Sequence, residues 1–174
     1  MLLFLDTEYT GLKQQTPRLV SLGIVSEDGR RELYMELADT WKVDDCTAFV
    51  RREVLPLLEG TPITFEQGRS RLREWFLTAP RTVQIACDSS TDFAFLLELL
   101  GTPLPTNLAS TYYDLRPLID TTVYDQAVSN CYRKDNRIHH ALVDARAYRR
   151  GWLAWMDARK VAVGGHQNRH RDSF

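Results

Sequence analysis

Apolar residues run unbroken from Leu2 to Leu5 and stop at Asp6, which predicts a short strand buried on both faces. RLVSLGIVS (Arg18 to Ser26) predicts a second strand, and the EDGR turn folds it back as a hairpin onto a third, RELYMELA. The spacing then changes. In DDCTAFVRREVLPLLEG apolar positions recur at three and four; Asp44 or Asp45 can cap this helix, and Pro56 and Gly60 mark its end. A second helix follows in FEQGRSRLREWFL, ended by Pro80, and VQIAC reads as the next buried strand. The Thr91 hydroxyl can cap a helix through DFAFLLELLG. Beyond a Pro-broken connection come a β-like TYYDL and an amphipathic LIDTTVYDQAVSNCY. The last element is a long helix from about Ala141 to Lys160, on which Leu142, Ala145, Tyr148, Trp152 and Trp155 share a face that reads as core.

With no internal repeat or linker, residues 1–160 are expected to form one α/β domain. The remainder, 161–174, contains GGHQNRHRDSF, with turn residues, charge and no period, and is expected to be a polar, flexible tail. His166 and His170 have helical metal-ligand spacing, but beside Gly-Gly in such a segment they read as solvated.

A length of 174 residues fits one domain with a proper core, and 44% hydrophobic with 26% charged residues is ordinary for a soluble protein. Nothing approaches the roughly 18 consecutive apolar residues of a membrane span, and the N-terminal apolar stretch is too short for a signal peptide. Cys46, Cys87 and Cys131 are odd in number, irregular in spacing and without a CxxC pair. That argues against a disulfide framework or zinc site and makes a reducing cytoplasm the expected compartment.

Candidate chemistry gathers at three places: Asp6 and Glu8 in LLFLDTEYTGL, Asp92 in TDFAFL, and His139 with Asp144 in HHALVDAR. Carboxylates at the end of a buried strand repel each other and lose hydration, so folding alone gives no reason to place them there. Hard divalent cations such as Mg²⁺ and Mn²⁺ do, because they prefer oxygen ligands. Four carboxylates can hold two such ions roughly 3.5–4 Å apart, the spacing used for in-line attack on a phosphodiester. The expectation is a metal-dependent nuclease. A net charge of −1 does not oppose a nucleic-acid partner, because residues 131–174 carry 10 Lys/Arg against 4 Asp/Glu and the rest of the chain 12 against 19.

Asp6-Thr7-Glu8-Tyr9-Thr10-Gly11-Leu12, Asp92-Phe93-Ala94-Phe95-Leu96 and His139 with Asp144 five positions on resemble the three motifs of the DEDD exonuclease superfamily, in its histidine-containing branch. LVSLGIVSEDGRRELY, FVRREVLPLL and HHALVDAR resemble the small bacterial exoribonucleases of the polyadenylate-specific (RNase AS) type, a likeness reaching to about Lys160. The resemblance implies a ribonuclease H-like fold, a central mixed β-sheet flanked by α-helices. It also implies 3′-5′ hydrolysis of single-stranded RNA to nucleoside 5′-monophosphates with two divalent cations, Mg²⁺ or Mn²⁺.

In that frame Asp6, Glu8 and Asp144 hold one cation. Asp6 reaches the second, Asp92 acts mainly through water or supports the second site, and His139 takes the proton of the attacking water. The Asp-x-x-Phe-Leu frame selects Asp92 over Asp88, leaving Asp88 near the site but not a ligand; His140 is expected near by without a chemical role. Thr7 backbone would meet the terminal 3′-OH, Leu12 would wedge against the last bases with Gly11 beside it, and Tyr9 would stack on a base or support the site from below. Two alternatives stand beside this: a 3′-5′ DNA exonuclease of proofreading or repair type, and a nucleic-acid-binding module without turnover. A two-fold homodimer is expected, with Trp41, Trp75, Trp152 and Trp155 among the residues available for an interface.

Overall fold

The computed structural model describes residues 1–11, 16–79 and 82–168. Five strands form one sheet in the order β3-β2-β1-β4-β5. They are β1 (Leu2–Tyr9), β2 (Leu19–Ser26), β3 (Glu32–Glu36), β4 (Gln84–Cys87) and β5 (Tyr113–Asp114). The first three pair antiparallel as a meander, and β4 and β5 add in parallel. Helices α1 (Phe65–Leu77), α2 (Ser90–Leu100), α3 (Arg116–Ile119), α4 (Thr122–Tyr132) and α5 (Ala141–Asn168) flank the sheet. This is the α/β architecture with a central mixed sheet that the sequence predicts, and it agrees with a ribonuclease H-like fold.

The sheet separates two apolar layers. Leu3, Leu5, Ile24, Met35 and Ile85 pack with Leu72 and Phe76 of α1 and Leu96 and Leu99 of α2. Phe4, Val25 and Ala86 pack on the other side with Leu118, Tyr124, Ala145 and Trp152. The two-residue strand period thus puts Asp6 and Glu8 on the face of Phe4, the face that α5 covers. Gly23, opposite Asp6 in the β1–β2 register, makes that covering possible. A Cβ there would lie 2.3 Å from the Leu142 backbone nitrogen, so the first turn of α5 rests directly on the sheet only because the position is glycine.

Three sequence expectations need correction. The single helix expected over DDCTAFVRREVLPLLEG is broken into a 3₁₀ turn at Val43–Asp45, a π turn at Val50–Val54 and a second 3₁₀ turn at Leu55–Leu57. Asp45 accepts from the Lys42 N–H (2.8 Å) and so closes the first turn instead of capping a long helix. Thr47 N–H is drawn off to the Thr10 carbonyl (2.9 Å), and Pro56 has no N–H to continue an α ladder. Helix α2 is capped by Ser89, whose hydroxyl accepts from Thr91 N–H (3.1 Å), so Thr91 lies inside the helix. Helix α5 runs on past Lys160 to Asn168. Elsewhere the expected α1 matches residue for residue, closed by a reciprocal Thr64–Gln67 capping box.

The four tryptophans are engaged within the chain. Trp152 packs on Phe4 at 5.6 Å, Trp41 donates to the Leu37 carbonyl at 2.8 Å, and Arg31 and Arg159 lie over Trp75 and Trp155. All three cysteines are free, and no described helix is long and apolar enough to cross a membrane.

Candidate active site

Parallel pairing of β1 with β4 brings both strands' carboxyl ends to one edge, and Asp6 meets Asp88 there. Asp92 enters from the first turn of α2, and Asp144 from that of α5. Together with Glu8 and His139 they line a cleft of about 870 Å³. Ligating atoms of Asp6, Asp88 and Asp92 lie within 4.8 Å of one another, and those of Glu8, His139 and Asp144 form a second such group. All five catalytic candidates therefore converge, although up to 138 positions separate them along the chain.

Specific hydrogen bonds aim the carboxylates. Thr7 Oγ1 donates to Asp92 Oδ1 at 2.5 Å, which ties β1 to α2. The His139 backbone N–H donates to Asp144 Oδ2 (3.0 Å), and Tyr132 Oη donates to Asp144 Oδ1 (2.9 Å). Tyr148 Oη lies 3.2 Å from Asp6 Oδ1 and 3.0 Å from Asp88 Oδ2, and its single proton bridges the two. Sequence reading placed Tyr148 in the apolar stripe of α5. The available signal was its position one turn after Asp144, which projects it from the same face.

The other predicted contacts are placed as follows. Tyr9 packs its ring on Phe95 (5.5 Å), which makes it support beneath the cleft while one side lines it. Gly11 lines the cleft with φ of 105°, in the left-handed region that favours glycine, and a Cβ there would lie 2.4 Å from Thr47 Cγ2. Leu12 lies outside the described residues. Phe49 and Ile138, which sequence reasoning did not single out, are exposed apolar side chains on the wall of the cleft. His140 is buried with its ring stacked on Tyr34 at 4.4 Å, outside the cleft.

Burial and crowding oppose ionisation here. Burial pushes the Asp6 carboxyl well above its ordinary value, and the charges of Asp92, Glu8, Asp144 and Asp88 push it further. Burial, then the charges of Asp144 and Asp92, raises Glu8 to about 9. Asp92 rises to about 7 through burial, against the pull of the Thr7 hydroxyl. Burial raises Asp144 to about 6, against the pull of the Tyr132 hydroxyl and the His139 N–H. No Lys or Arg is among the described residues lining the cleft to offset these charges. The carboxylates of this set, converging, aimed by neutral donors and without a Lys or Arg among the described lining, fit a hard divalent ion. Asp88 stands beside Asp6 and Asp92, near the site as the sequence frame expects, with a carboxylate oxygen within 4.8 Å of theirs.

Comparison with known proteins places the chain in context. A 3′-5′ exoribonuclease of Mycobacterium tuberculosis strain CDC 1551 / Oshkosh is 30% identical over 151 residues, covering 82% of this chain and 86% of the relative. Its counterpart in strain H37Rv matches to the same extent. No family model matches.

Proposed function

Since the chain belongs to the family of these 3′-5′ exoribonucleases, we propose that it hydrolyses single-stranded RNA from the 3′ end, releasing nucleoside 5′-monophosphates. The observation that supports this most directly is the convergence of Asp6, Glu8, Asp92, Asp144 and His139 on one cleft, with no Lys or Arg among the described residues that line it. Two divalent cations, Mg²⁺ or Mn²⁺, fit there: Glu8 and Asp144 with Asp6 would hold one, and Asp6 with Asp92 and Asp88 the other. Such ions supply neutralisation of charge on the scissile phosphate and acidify the attacking water.

The chain's own groups do the rest. Oxygen donors suffice for hard ions, which leaves the His139 imidazole free to accept the proton of the attacking water. Its backbone N–H on Asp144 holds base and carboxylate in one rigid turn. Tyr132 and Tyr148 keep their carboxylates pointed inward, so the donors need no reorganisation when substrate arrives. Thr7 positions Asp92, and the backbone beside it would meet the terminal 3′-OH. Exposed Phe49 and Ile138 give the wall apolar surface on which a terminal base can lie.

Incubation of 5′-labelled single-stranded RNA and DNA with Mn²⁺ or Mg²⁺, and then with EDTA, tests this reading. Laddering of RNA that EDTA stops is the expected result. Laddering of DNA with RNA left intact assigns a DNA exonuclease instead, and binding without laddering assigns a binding module.

A further inference from the structure

His139 has φ of 73°, making it the one non-glycine with positive φ among the described residues. A side chain in that region is strained and persists only where its surroundings over-determine it. Contacts flank it on both sides in sequence. Two positions earlier, Arg137 donates to Asp135 through Nε (2.9 Å) and one terminal nitrogen (2.8 Å), while its other terminal nitrogen reaches Glu59 Oε1 at 3.4 Å. One position later, the buried His140 Nε2 lies 3.3 Å from the same Glu59 oxygen without making a hydrogen bond to it. A single carboxylate oxygen thus meets both residues that bracket the turn.

Glu59 is itself anchored. Its backbone N–H and that of Gly60 both donate to the buried Glu36 carboxylate, which also accepts from Tyr34 Oη at 2.9 Å. Tyr34 in turn stacks on His140, closing the ring of contacts. Glu59 follows the helical turns that carry Phe49, and the Phe49 ring meets the His139 imidazole edge-on at 5.0 Å. The contact therefore joins the Phe49 wall of the cleft to the His139 wall.

Resting on the hydrolytic reading above, we infer that Glu59 is a positioning residue: its carboxylate, bonded to Arg137 and set against His140, fixes the turn that presents His139 to the attacking water. Half of the Glu59 side chain is exposed, so its ion pair contributes little to stability while still setting the geometry. Misplacement of a base by an ångström is enough to slow a reaction by up to about 10²-fold.

The test is a mutant cycle on labelled RNA with metal present. Glu59→Ala should lower kcat roughly 10-fold with KM nearly unchanged, Arg137→Gln should lower kcat in the same direction, and Glu59→Gln, which keeps an acceptor oxygen, should restore most of the rate. In the His139→Ala background Glu59→Ala should cost nothing further. An equal loss in both backgrounds, a loss in KM alone, or no loss at Glu59→Ala overturns the inference. Full turnover in His139→Ala itself is a distinct result: it removes the base, and the inference with it. RNA degradation that never occurs in the wild type identifies failure of the hydrolytic reading instead.

Discussion

Asp6 is the carboxylate most exposed to its neighbours' charge, and replacing it with Asn separates the cost of the site from its use. Ligating atoms of Asp6, Asp88 and Asp92 lie within 4.8 Å of one another, and Asp6 is only 8% exposed. At about 5 Å and an effective dielectric near 20, one ionised neighbour contributes roughly 3 kcal/mol of repulsion. Protonation and water relieve most of it, leaving about 1–3 kcal/mol, and for a chain of this length each kcal/mol is roughly 2–4 °C of melting temperature. In EDTA at about pH 8, Asp6→Asn should therefore melt a few degrees above wild type. The sign follows from the raised carboxyls: the stability they contribute is present below their ordinary values and is lost as pH rises through about 6 for Asp144, 7 for Asp92 and 9 for Glu8. The gap should accordingly shrink toward about pH 4. Saturating Mn²⁺ should invert the order, since an ion at 100 times its dissociation constant stabilises the wild type by about 2.7 kcal/mol and the variant much less. Differential scanning fluorimetry with isothermal titration reads both effects. Asp6→Asn melting below wild type in EDTA, together with wild-type metal affinity, would refute the reasoning.

His139→Ala should leave folding and metal affinity nearly intact and cut turnover by roughly 10²–10⁴-fold, measured on labelled RNA. His140→Ala should cost turnover far less, its main effect being a lower melting temperature from loss of a buried ring; equal catalytic losses with folding preserved would contradict the assignment of the base. Gly23→Ala should destabilise the fold and weaken metal binding together, because α5 must lift from the sheet and carry Asp144 away; calorimetry showing normal metal affinity would count against this coupling. Light scattering at micromolar concentration should give twice the 20.1 kDa chain mass for a two-fold dimer, whereas a single-chain mass with full activity excludes a dimer requirement.

The parts of the site legible in the sequence are those whose signal is local. Asp6 and Glu8 end a strand whose period also assigns their face, and α1 carries its own start in the Thr64–Gln67 pair. Asp144 stands within the first turns of a helix visible from its apolar stripe. Legibility fails where a contact made far along the chain overrides the local pattern. The segment after Trp41 has helical spacing, yet Thr10 takes the Thr47 N–H and the helix restarts in tighter and wider turns. Tyr148 has the spacing of a core residue, but its hydroxyl finds Asp6, 142 positions away. Asp88 looks like a loop acid beside a helix start until the parallel β1–β4 pairing lays it against Asp6. In each case the deciding partner lies far away along the chain, and a periodicity window carries no information about which distant residues the fold will bring together. The positive φ of His139 follows the same rule: nothing in HHALVDAR demands it, and the residues bracketing it acquire their common partner only when Glu59 is brought beside them by the sheet. The chemistry of this chain was readable wherever one strand or helix carried it, and unreadable wherever two elements had to meet first.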